Sequence, residues 1–348
     1  MMRICFATYQ AVMMLKGGPR TQMLQSKLEL EKLGVRVTLF DSWKELKRGD
    51  VDLVHLFGAN IGTYHLAREI HRLGIPTVVS PIFYTRHSAA SVRRVVTAGR
   101  ILKGFARGIW TDYGMMADMC SWADRVAPNT VDEGSLIIEG MGVQERNIYV
   151  VPNGVEARFE KGNKALFKKK FGTENFILNV GHIGPDRKNV LRLIQALETI
   201  NHPAVIIGRI EKTPEGDRCL ELAKRNPRLM ILDSVAHDSE LFASAYAACD
   251  VFVLPSQFET PGIAALEAGL AGAKVVITPH GGTKEYFREY AEYVDPYSVE
   301  NIRTGIQNAL NRQKNTQLRD HIKENFLWKS VAQRLLALYQ TVLEKNPQ

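Results

Sequence analysis

The chain has few cysteines and no long apolar run. Its 348 residues include 4 cysteines, and no two of them form a C-x-x-C pair. Scattered thiols are typical of a reducing compartment, so we expect a cytoplasmic protein. No apolar run approaches the roughly 18 residues that a membrane-spanning helix needs. The glycine patterns G-x-G-x-x-G and G-x-x-x-x-G-K-[ST] are missing, which argues against a dinucleotide oxidoreductase and a P-loop enzyme.

Metal ligands are also not clustered. The 9 histidines are scattered without ligand spacing, so the sequence predicts no zinc site. Asp50 and Asp52 form a D-x-D pattern of the kind that binds metal diphosphates. This pair precedes the predicted strand Leu53–Phe57, at the wrong end of the sheet for a site among the strand-end loops. We therefore predict neither a metal nor another cofactor.

The composition is that of an ordinary globular protein, with 45% hydrophobic and 24% charged residues. A chain of this length favours two domains. The 45 Lys and Arg exceed the 37 Asp and Glu, which gives a net charge of +8. Such an excess suggests anionic partners such as phosphate groups.

Apolar runs that alternate with helical patterns predict an α/β fold with a doubly wound parallel sheet in each half. The turn Val151–Gly154 and the lysine-rich stretch after it suggest the boundary. We place an N-terminal domain at 1–160 and a C-terminal domain at 161–327, followed by an amphipathic helix over 328–345. The predicted strands are Ile4–Thr8, Val35–Phe40, Leu53–Phe57, Thr77–Val79, Arg125–Ala127, Phe176–Val180, Val205–Ile207, Met230–Leu232, Val251–Leu254 and Val275–Thr278.

The most informative segment follows the strand that ends near Pro255. Thr260 is a good N-cap and Pro261 suits the first helical position, so we predict a helix from there to Leu270. Gly262 and Ala264-Ala265 keep the helix start slim. Free N–H groups at a slim helix start bind anions, and phosphate fits best.

Two acidic residues flank this helix start. Glu259 precedes the cap, and Glu267 follows about two turns into the helix. A carboxylate can accept hydrogen bonds from two vicinal hydroxyls, so the pair could hold sugar rings on either side of a diphosphate. The alternative is a glutamate that stabilises the helix dipole, together with a solvated one.

A second segment runs from Asn179 to Val190. A predicted strand ends in the small-residue loop around Gly181, after which Arg187 and Lys188 open a predicted helix. Cations at a helix N-terminus oppose its dipole, so their placement favours a bound anion. We favour Lys188 as the ligand contact, and the alternative is a solvated basic pair.

Glycine pairs follow the first strand of the N-terminal half and a late strand of the C-terminal half. Gly17 and Gly18 form the first pair, and Gly281 and Gly282 form the second. Glycine allows the backbone to approach a phosphate closely. Each pair alone is equally well explained as a simple turn.

Taken in order, these motifs resemble the retaining glycosyltransferases of family 4, which have the GT-B fold. The resemblance extends over about residues 1–340, and the Glu259-x7-Glu267 segment is its most specific part. Its marks are Gly17-Gly18, Asp52–His55, Ala123–Val126, Val151–Gly154, Gly181 with Arg187-Lys188, Glu259-x7-Glu267, and Gly281-Gly282 with Glu285.

The resemblance implies two Rossmann-like domains that face a central cleft. It implies that the C-terminal domain binds a nucleotide-diphosphate sugar, with Lys188 at the diphosphate, Glu267 at the ribose and Glu259 at the donor sugar. The amides of Gly262 and Ile263 would meet the diphosphate or the sugar.

On the acceptor side, the resemblance implies that a hydroxyl compound (a glycan, a lipid-linked sugar or a small molecule) binds the N-terminal domain near Gly18. It also implies that the last helix crosses back onto that domain. Reaction with retention would need no metal and no dedicated base.

Two residues depart from the family pattern. His182 stands where many members have an arginine, so one cation at the diphosphate is either weaker or supplied elsewhere, by Arg187 or Arg209. Ile82 stands where many members have a histidine that contacts the donor sugar. Two other functions therefore remain open: a nucleotide-sugar epimerase of the same fold, and a non-catalytic nucleotide-sugar binder or membrane-associated partner of a transferase.

The stretch from Ile70 to Thr111 contains no acidic residue. Within 88–110 the pattern predicts a basic amphipathic helix. A solvated basic face explains it well, and a weak, salt-sensitive contact with an anionic membrane is the alternative. Nucleic acid is not an expected partner. The apolar side consists of Val92, Val95, Val96, Leu102, Phe105, Ala106 and Ile109, and the basic side of Arg93, Arg100, Lys103 and Arg107.

Overall fold

The chain divides into two compact units, which we describe separately. Unit 1 contains Met1–Asn153 together with the C-terminal helix that begins at Trp328, and unit 2 contains Gly154–Leu327. The sequence analysis placed this division at 160/161. The structure is a computed structural model that describes residues 1–14, 17–105, 108 and 110–345.

Unit 1 contains a parallel sheet. Its strand order is β2-β1-β3-β4-β5, and every neighbouring pair is parallel. The chain turns from one side of β1 to the other between β2 and β3, so the β1/β3 boundary is the switch point where ligands bind in such sheets. The strands among the described residues are β1 (Arg3–Thr8), β2 (Arg36–Leu39), β3 (Leu53–Phe57), β4 (Thr77–Ser80) and β5 (Arg125–Val126).

Helices accompany this sheet, and the residues of β3 are buried throughout. Strands buried on both faces give the continuous apolar runs that the sequence shows. The unit 1 helices that precede the boundary are α1 (Gly18–Lys32), α2 (Ile61–Arg72), α3 (Ala89–Phe105), α4 (Asp112–Trp122) and α5 (Val131–Met141).

Unit 2 contains a second parallel sheet with the order β11-β10-β9-β6-β7-β8. Strands run outward from β6 in one direction and from β9 in the other, so the switch point lies between β6 and β9. The predicted α/β class with two parallel sheets is confirmed. The strands described are β6 (Phe176–Val180), β7 (Ala204–Ile207), β8 (Leu229–Leu232), β9 (Cys249–Leu254), β10 (Lys274–Ile277) and β11 (Glu292–Tyr293).

The helices of unit 2 bury one stripe each or are buried almost completely. In α7, Val190, Leu193, Ile194 and Leu197 are buried at helical spacing. The helix α10 is buried along most of its length. The helices are α6 (Lys164–Phe171), α7 (Val190–Leu197), α8 (Pro214–Arg225), α9 (Glu240–Ala248), α10 (Ile263–Ala271), α11 (Thr283–Phe287), α12 (Val299–Asn311) and α13 (Gln317–Asn325).

The C-terminal helix α14 (Trp328–Lys345) packs in unit 1. A buried polar chain joins it to the sheet: the ring of His55 lies 2.6 Å from the Tyr339 hydroxyl and 2.9 Å from the Ser80 hydroxyl. Burial lowers the pKa of His55 to about 3, so the imidazole is neutral. In the described part of the chain, no helix is long and apolar enough to cross a membrane.

Candidate functional site

The loops after β6, β9 and β10 lie at one edge of the unit 2 sheet, because parallel strands end at the same edge. The first two of these loops flank the switch point and carry most of the predicted site. The structure brings Lys188 and Arg187, from the loop after β6, onto Glu259, from the loop after β9.

Glu259 is a buried carboxylate between two cations. Lys188 Nζ lies 2.6 Å from Glu259 Oε1, and the Arg187 guanidinium lies 3.5 Å from the same oxygen. Burial alone would raise the pKa of Glu259, but the charges of Lys188 and Arg187 outweigh it and lower that pKa. The carboxylate is therefore ionised, and the three side chains together carry one net positive charge.

The loop after β6 has a defined shape. Asp186–Lys188 form a single 3-10 turn, and Asn189 ends it in the left-handed conformation (φ 58°). The side-chain amide of Asn189 donates to the carbonyls of Pro255 (2.8 Å) and Pro296 (2.6 Å). The first of these bonds joins this loop to the loop after β9. The prediction that Arg187 and Lys188 open a helix was wrong, because this turn delays the start of α7 to Val190.

The start of α10 also differs from the prediction. Thr260 is not the N-cap, and Pro261 is not the first helical residue. Gly262 takes the left-handed conformation (φ 85°), which interrupts helical geometry, so the helix begins at Ile263. A Cβ at Gly262 would meet Leu254 at 3.1 Å. The helix ends at Ala271, one residue beyond the predicted Leu270, and its first amides follow Glu259 by four residues.

Glu267 lies in the second turn of α10, and two hydrogen-bond donors contact its carboxylate. The Tyr246 hydroxyl donates to its Oε2 (2.6 Å), and His237 Nε2 lies 2.8 Å from its Oε1. Only 5% of the Glu267 side chain is exposed. Burial and the nearby carboxylate raise the pKa of Tyr246 well above its ordinary value, so its hydroxyl stays protonated.

The glycine pair after β10 has a structural role that the sequence analysis did not foresee. Gly281 (φ 91°) lies against the backbone of Glu259, and a Cβ there would come within 2.1 Å of the Glu259 carbonyl oxygen. The Glu259 N–H donates to the His280 carbonyl, and the Gly282 N–H donates to the Glu259 carbonyl. This pair therefore fixes the position of Glu259.

Two further predicted residues lie at neighbouring strand ends. His182, in the loop after β6, pairs with Glu211 at 3.1 Å. Arg209 follows β7 and is exposed, and its carbonyl accepts from the Ile183 N–H. Both residues thus lie on the β7 side of the sheet edge, while Lys188 and Arg187 contact Glu259 in the loop after β9.

The predicted acceptor residues are in unit 1. Gly17 caps α1 and Gly18 opens it, in the loop after β1 at the switch point of that sheet. A Cβ on Gly18 would meet nothing within 4 Å, so there is open space beside the backbone. Lys16, which precedes the pair, lies outside the described residues.

Ile82, the other departure from the family pattern, has an unusual backbone. Its φ of 56° is rare for a β-branched residue. The backbone N–H of the next residue, Phe83, donates to the buried carboxylate of Glu133 (2.8 Å). The same carboxylate also accepts from the backbone N–H of Asn129 (2.7 Å). The loop after β4 is therefore anchored by a carboxylate that the sequence analysis did not single out.

The basic helix is only partly as predicted. Val92 and Val96 of α3 are buried, but Leu102 is 47% and Phe105 is 87% exposed. Lys103 is paired with Asp118 at 2.9 Å. Ala106, Arg107 and Ile109 of the predicted helix lie outside the described residues.

No group of three or more His, Cys, Asp or Glu side chains among the described residues is arranged to hold a metal ion. Asp52 of the D-x-D pattern pairs with Arg3 at 2.6 Å, at the start of the unit 1 strands.

Two family models match the chain. The model for glycosyl transferases group 1 matches residues 163–326, and the model for Glycosyltransferase Family 4 matches residues 28–159. Together they span most of both units.

Relatives of known name are identical to this chain at about one aligned residue in four. A D-inositol 3-phosphate glycosyltransferase from Geodermatophilus obscurus is 26% identical over 85% of this chain and 68% of its own length. A mannosylfructose-phosphate synthase from Agrobacterium fabrum is 26% identical over 62% of this chain and 53% of its own length. The chain thus spans about half to two thirds of these relatives.

Solved structures share the fold of almost the whole chain. A sucrose-phosphate synthase from Thermosynechococcus elongatus has a TM-score of 0.77 at 16% identity and covers 99% of this chain and 100% of its own. The Anabaena protein HepE, in complex with UDP and glucose, has a TM-score of 0.67 at 16% identity and covers 98% of this chain and 100% of its own.

Proposed function

The chain belongs to the glycosyltransferases of group 1 and family 4 and has the GT-B fold, and from this premise we propose its reaction. It transfers a sugar from a nucleotide-diphosphate sugar to a hydroxyl acceptor, with retention at the anomeric carbon and without a metal. The observation that carries the proposal is the 2.6 Å contact between Lys188 and Glu259 at the switch point of β6 and β9.

The charges at this edge support a diphosphate ligand. Lys188 and Arg187 outweigh the single carboxylate of Glu259, and α10 begins four residues after it. Fixed positive groups at a developing negative charge are the largest contribution to many catalysed group transfers. The related HepE structure, which holds UDP and glucose, is in accord with such a ligand.

The bond changes follow from this placement. The bond between the sugar C1 and the diphosphate oxygen breaks, and the negative charge that develops on the phosphate is stabilised by Lys188 and Arg187. A bond from C1 to the acceptor oxygen forms on the same face. The acceptor proton passes to the leaving phosphate oxygen, so that no side chain has to act as the base. Glu259 accepts hydrogen bonds from the donor sugar, and Glu267 accepts them from the ribose.

The acceptor is proposed to bind unit 1, at the loop that carries Gly17 and Gly18. The open space beside Gly18 at the β1/β3 switch point supports this assignment. The relatives named for inositol 3-phosphate and mannosylfructose-phosphate support an acceptor that offers hydroxyl groups.

The first experiment is a thermal-shift panel of UDP-, GDP- and ADP-sugars. A ligand at a hundredfold excess over its Kd stabilises the native state by about 2.7 kcal/mol. The stabilising donor is then incubated with candidate acceptors, with and without EDTA, and the anomeric configuration of the product is read by NMR. We expect a retained configuration and no effect of EDTA.

Other outcomes contradict the proposal in different ways. Conversion of the donor sugar without an acceptor indicates an epimerase. Binding without turnover, across a broad acceptor panel, indicates a non-catalytic binder. A donor that stabilises the Lys188→Ala variant as well as the wild type removes the switch point as the donor site.

We also propose that α3 contacts an anionic membrane. The exposed Leu102 and Phe105 lie on α3 together with Arg94 and Arg100, which are also exposed. We expect sedimentation with phosphatidylglycerol vesicles at low salt and its loss in the Phe105→Ser variant. Failure of the wild type to sediment rejects it.

A further inference from the structure

A chain of hydrogen-bonded side chains ends at the carboxylate of Glu267. It starts at Arg158, in the 3-10 turn Ala157–Lys161, and passes through His237, in the loop between β8 and α9. Tyr246, from α9, meets the same carboxylate from another side. Neither the sequence motifs nor the proposed reaction assigns a role to Arg158 or His237.

Arg158 fixes the proton of the His237 ring. Its Nη2 donates to the His237 carbonyl at 2.5 Å and lies 3.2 Å from His237 Nδ1. A guanidinium can only donate, so in the neutral imidazole Nδ1 accepts and the ring proton lies on Nε2, and in the imidazolium form Nε2 also carries a proton. The contact of 2.8 Å from Nε2 to Glu267 Oε1 is therefore a hydrogen bond donated by the histidine.

Arg158 is itself held in place. Its Nε donates to Glu156 at 3.2 Å, and its guanidinium carbon lies 4.1 Å from the centre of the Phe159 ring. The Phe159 ring also packs edge-on to His237, with ring centres 5.8 Å apart. The imidazole is thus positioned by a charge, a ring and a backbone contact.

With two donors already bound, the Glu267 carboxylate can still accept further hydrogen bonds. An ionised carboxylate has about four lone-pair sites, and Tyr246 and His237 use two of them, one on each oxygen. One site per oxygen remains, which matches the two hydroxyls of a vicinal diol. The His237 side chain is 48% exposed and the Glu267 side chain 5%, so the imidazole forms the open wall beside the carboxylate.

We propose that Arg158 and His237 are positioning residues that orient Glu267 for the ribose diol of the donor. This inference rests on the proposed function and deepens it. Arg158 and His237 would then give the site its preference for a ribonucleotide over the 2′-deoxy form. Because a rotated carboxylate would meet only one hydroxyl well, loss of His237 weakens binding of the ribonucleotide and leaves binding of the 2′-deoxynucleotide almost unchanged.

The test is calorimetric titration of the wild-type chain with UDP, GDP and ADP and with their 2′-deoxy forms. We expect the preferred ribonucleotide to bind about tenfold more tightly than its deoxy form, or more, as a hydrogen bond to a charged group predicts. His237→Ala and Arg158→Ala should reduce this ratio to about threefold or less. His237→Gln, whose amide can still donate to Glu267, should retain most of it, and His202→Ala is the matched control.

Each other result overturns the inference. Equal weakening of both nucleotides by His237→Ala would show a merely structural role, as would a ratio that His237→Gln does not rescue. A wild-type ratio near one would remove Glu267 from the ribose. If Lys188→Ala abolishes binding while His237→Ala keeps the ratio, this inference fails and the proposed function stands. If the wild type binds none of the six nucleotides, both fail.

Discussion

The two units share a doubly wound architecture, but the edges at their switch points differ in chemistry. In unit 2 this edge places Lys188 and Arg187 against the buried Glu259. In unit 1 the loop after β1 exposes Met14 (82%), and the helix after β3 begins with the exposed Ile61 (73%). The same fold thus places a buried ion-pair cluster at one edge and exposed apolar side chains such as Met14 and Ile61 at the other, so the residues at the strand ends set the chemistry.

The comparison explains the division of tasks that we propose. A compact set of fixed charges suits a diphosphate, which carries charge in every donor of this class. The open space beside Gly18 leaves room for the proposed acceptor in unit 1.

Glu259→Ala should have the largest effect. It removes charge-assisted hydrogen bonds to the donor sugar, worth about 1.5–3 kcal/mol each, so two of them correspond to roughly a hundredfold loss of kcat/KM or more. Steady-state kinetics measure the loss, and circular dichroism checks the fold. Glu221→Ala, at an exposed position of the same unit, is the control. Wild-type rates in Glu259→Ala would remove the charged edge from the reaction.

Lys188→Ala should lower kcat/KM by about 10- to 150-fold, because it loses a charge-assisted contact of roughly 1.5–3 kcal/mol. Arg187→Ala should lose less, since its guanidinium is 42% exposed and 3.5 Å from Glu259. The control is Lys224→Ala, at an exposed lysine of α8. An Arg187 variant that is more damaged than the Lys188 variant would exchange the roles of the two cations.

Comparison of Gly281→Ala with Gly172→Ala separates the cost of backbone strain from the cost of the collision with Glu259. A left-handed φ costs an alanine about 1–2 kcal/mol, and the new Cβ would also collide with the Glu259 carbonyl. Gly172→Ala is the matched control, because Gly172 has a similar φ of 72° with nothing within 4 Å. Urea unfolding should show the larger loss of stability in Gly281→Ala, and only that variant should lose activity.

Equal losses of stability in the two glycine variants would show that the contact with Glu259 has no energetic weight. Unchanged activity in Gly281→Ala would show that the glycine pair does not position the carboxylate.

The contributions of His55 and His237 to the free energy of unfolding should respond to pH in opposite directions. His55 in unit 1 has a folded pKa of about 3, below its unfolded value, so the unfolded chain binds the proton first. Stability is therefore lost as the pH falls from about 6.5 toward 3, by up to about 1.4 kcal/mol per pH unit. Urea unfolding at pH 7.5 and 5.5 should show a smaller pH dependence in His55→Gln than in the wild type, and equal slopes would contradict this.

For His237 the sign is reversed. Burial lowers its pKa, but the hydrogen bond to Glu267 and the charges of Glu267 and Glu156 together outweigh burial and leave the pKa raised. Its contribution to stability is present below the unfolded pKa and is lost as the pH rises through the folded pKa. The wild type should therefore lose a little stability as the pH rises above neutral, and the His237→Gln variant should not show this loss. A wild type that loses stability only at acid pH would contradict this assignment.

The parallel sheets could be predicted from the sequence because buried strands leave continuous apolar runs. Every strand longer than two residues was anticipated. The strand Glu292–Tyr293 was not, since two residues carry no periodicity. The start of α10 was misplaced because the left-handed Gly262 precedes the helix, and local propensity favoured Thr260 and Pro261.

The site itself was predictable where a motif carried it. Glu259, Lys188 and Glu267 were found from their spacing and from the resemblance. His237 and Arg158 were not found, because they are 79 residues apart in sequence and meet only in the folded chain. Tyr246 was hidden in a buried helix, where an aromatic residue usually signals only packing.

The central claim is that the diphosphate of a nucleotide sugar binds at the unit 2 switch point, beside Lys188 and the start of α10. The most direct measurement is a crystal structure of the protein with a bound nucleoside diphosphate. We predict the phosphates within hydrogen-bond distance of Lys188 Nζ, with the ribose hydroxyls at Glu267. A nucleotide that binds elsewhere, with this edge empty, would contradict the account.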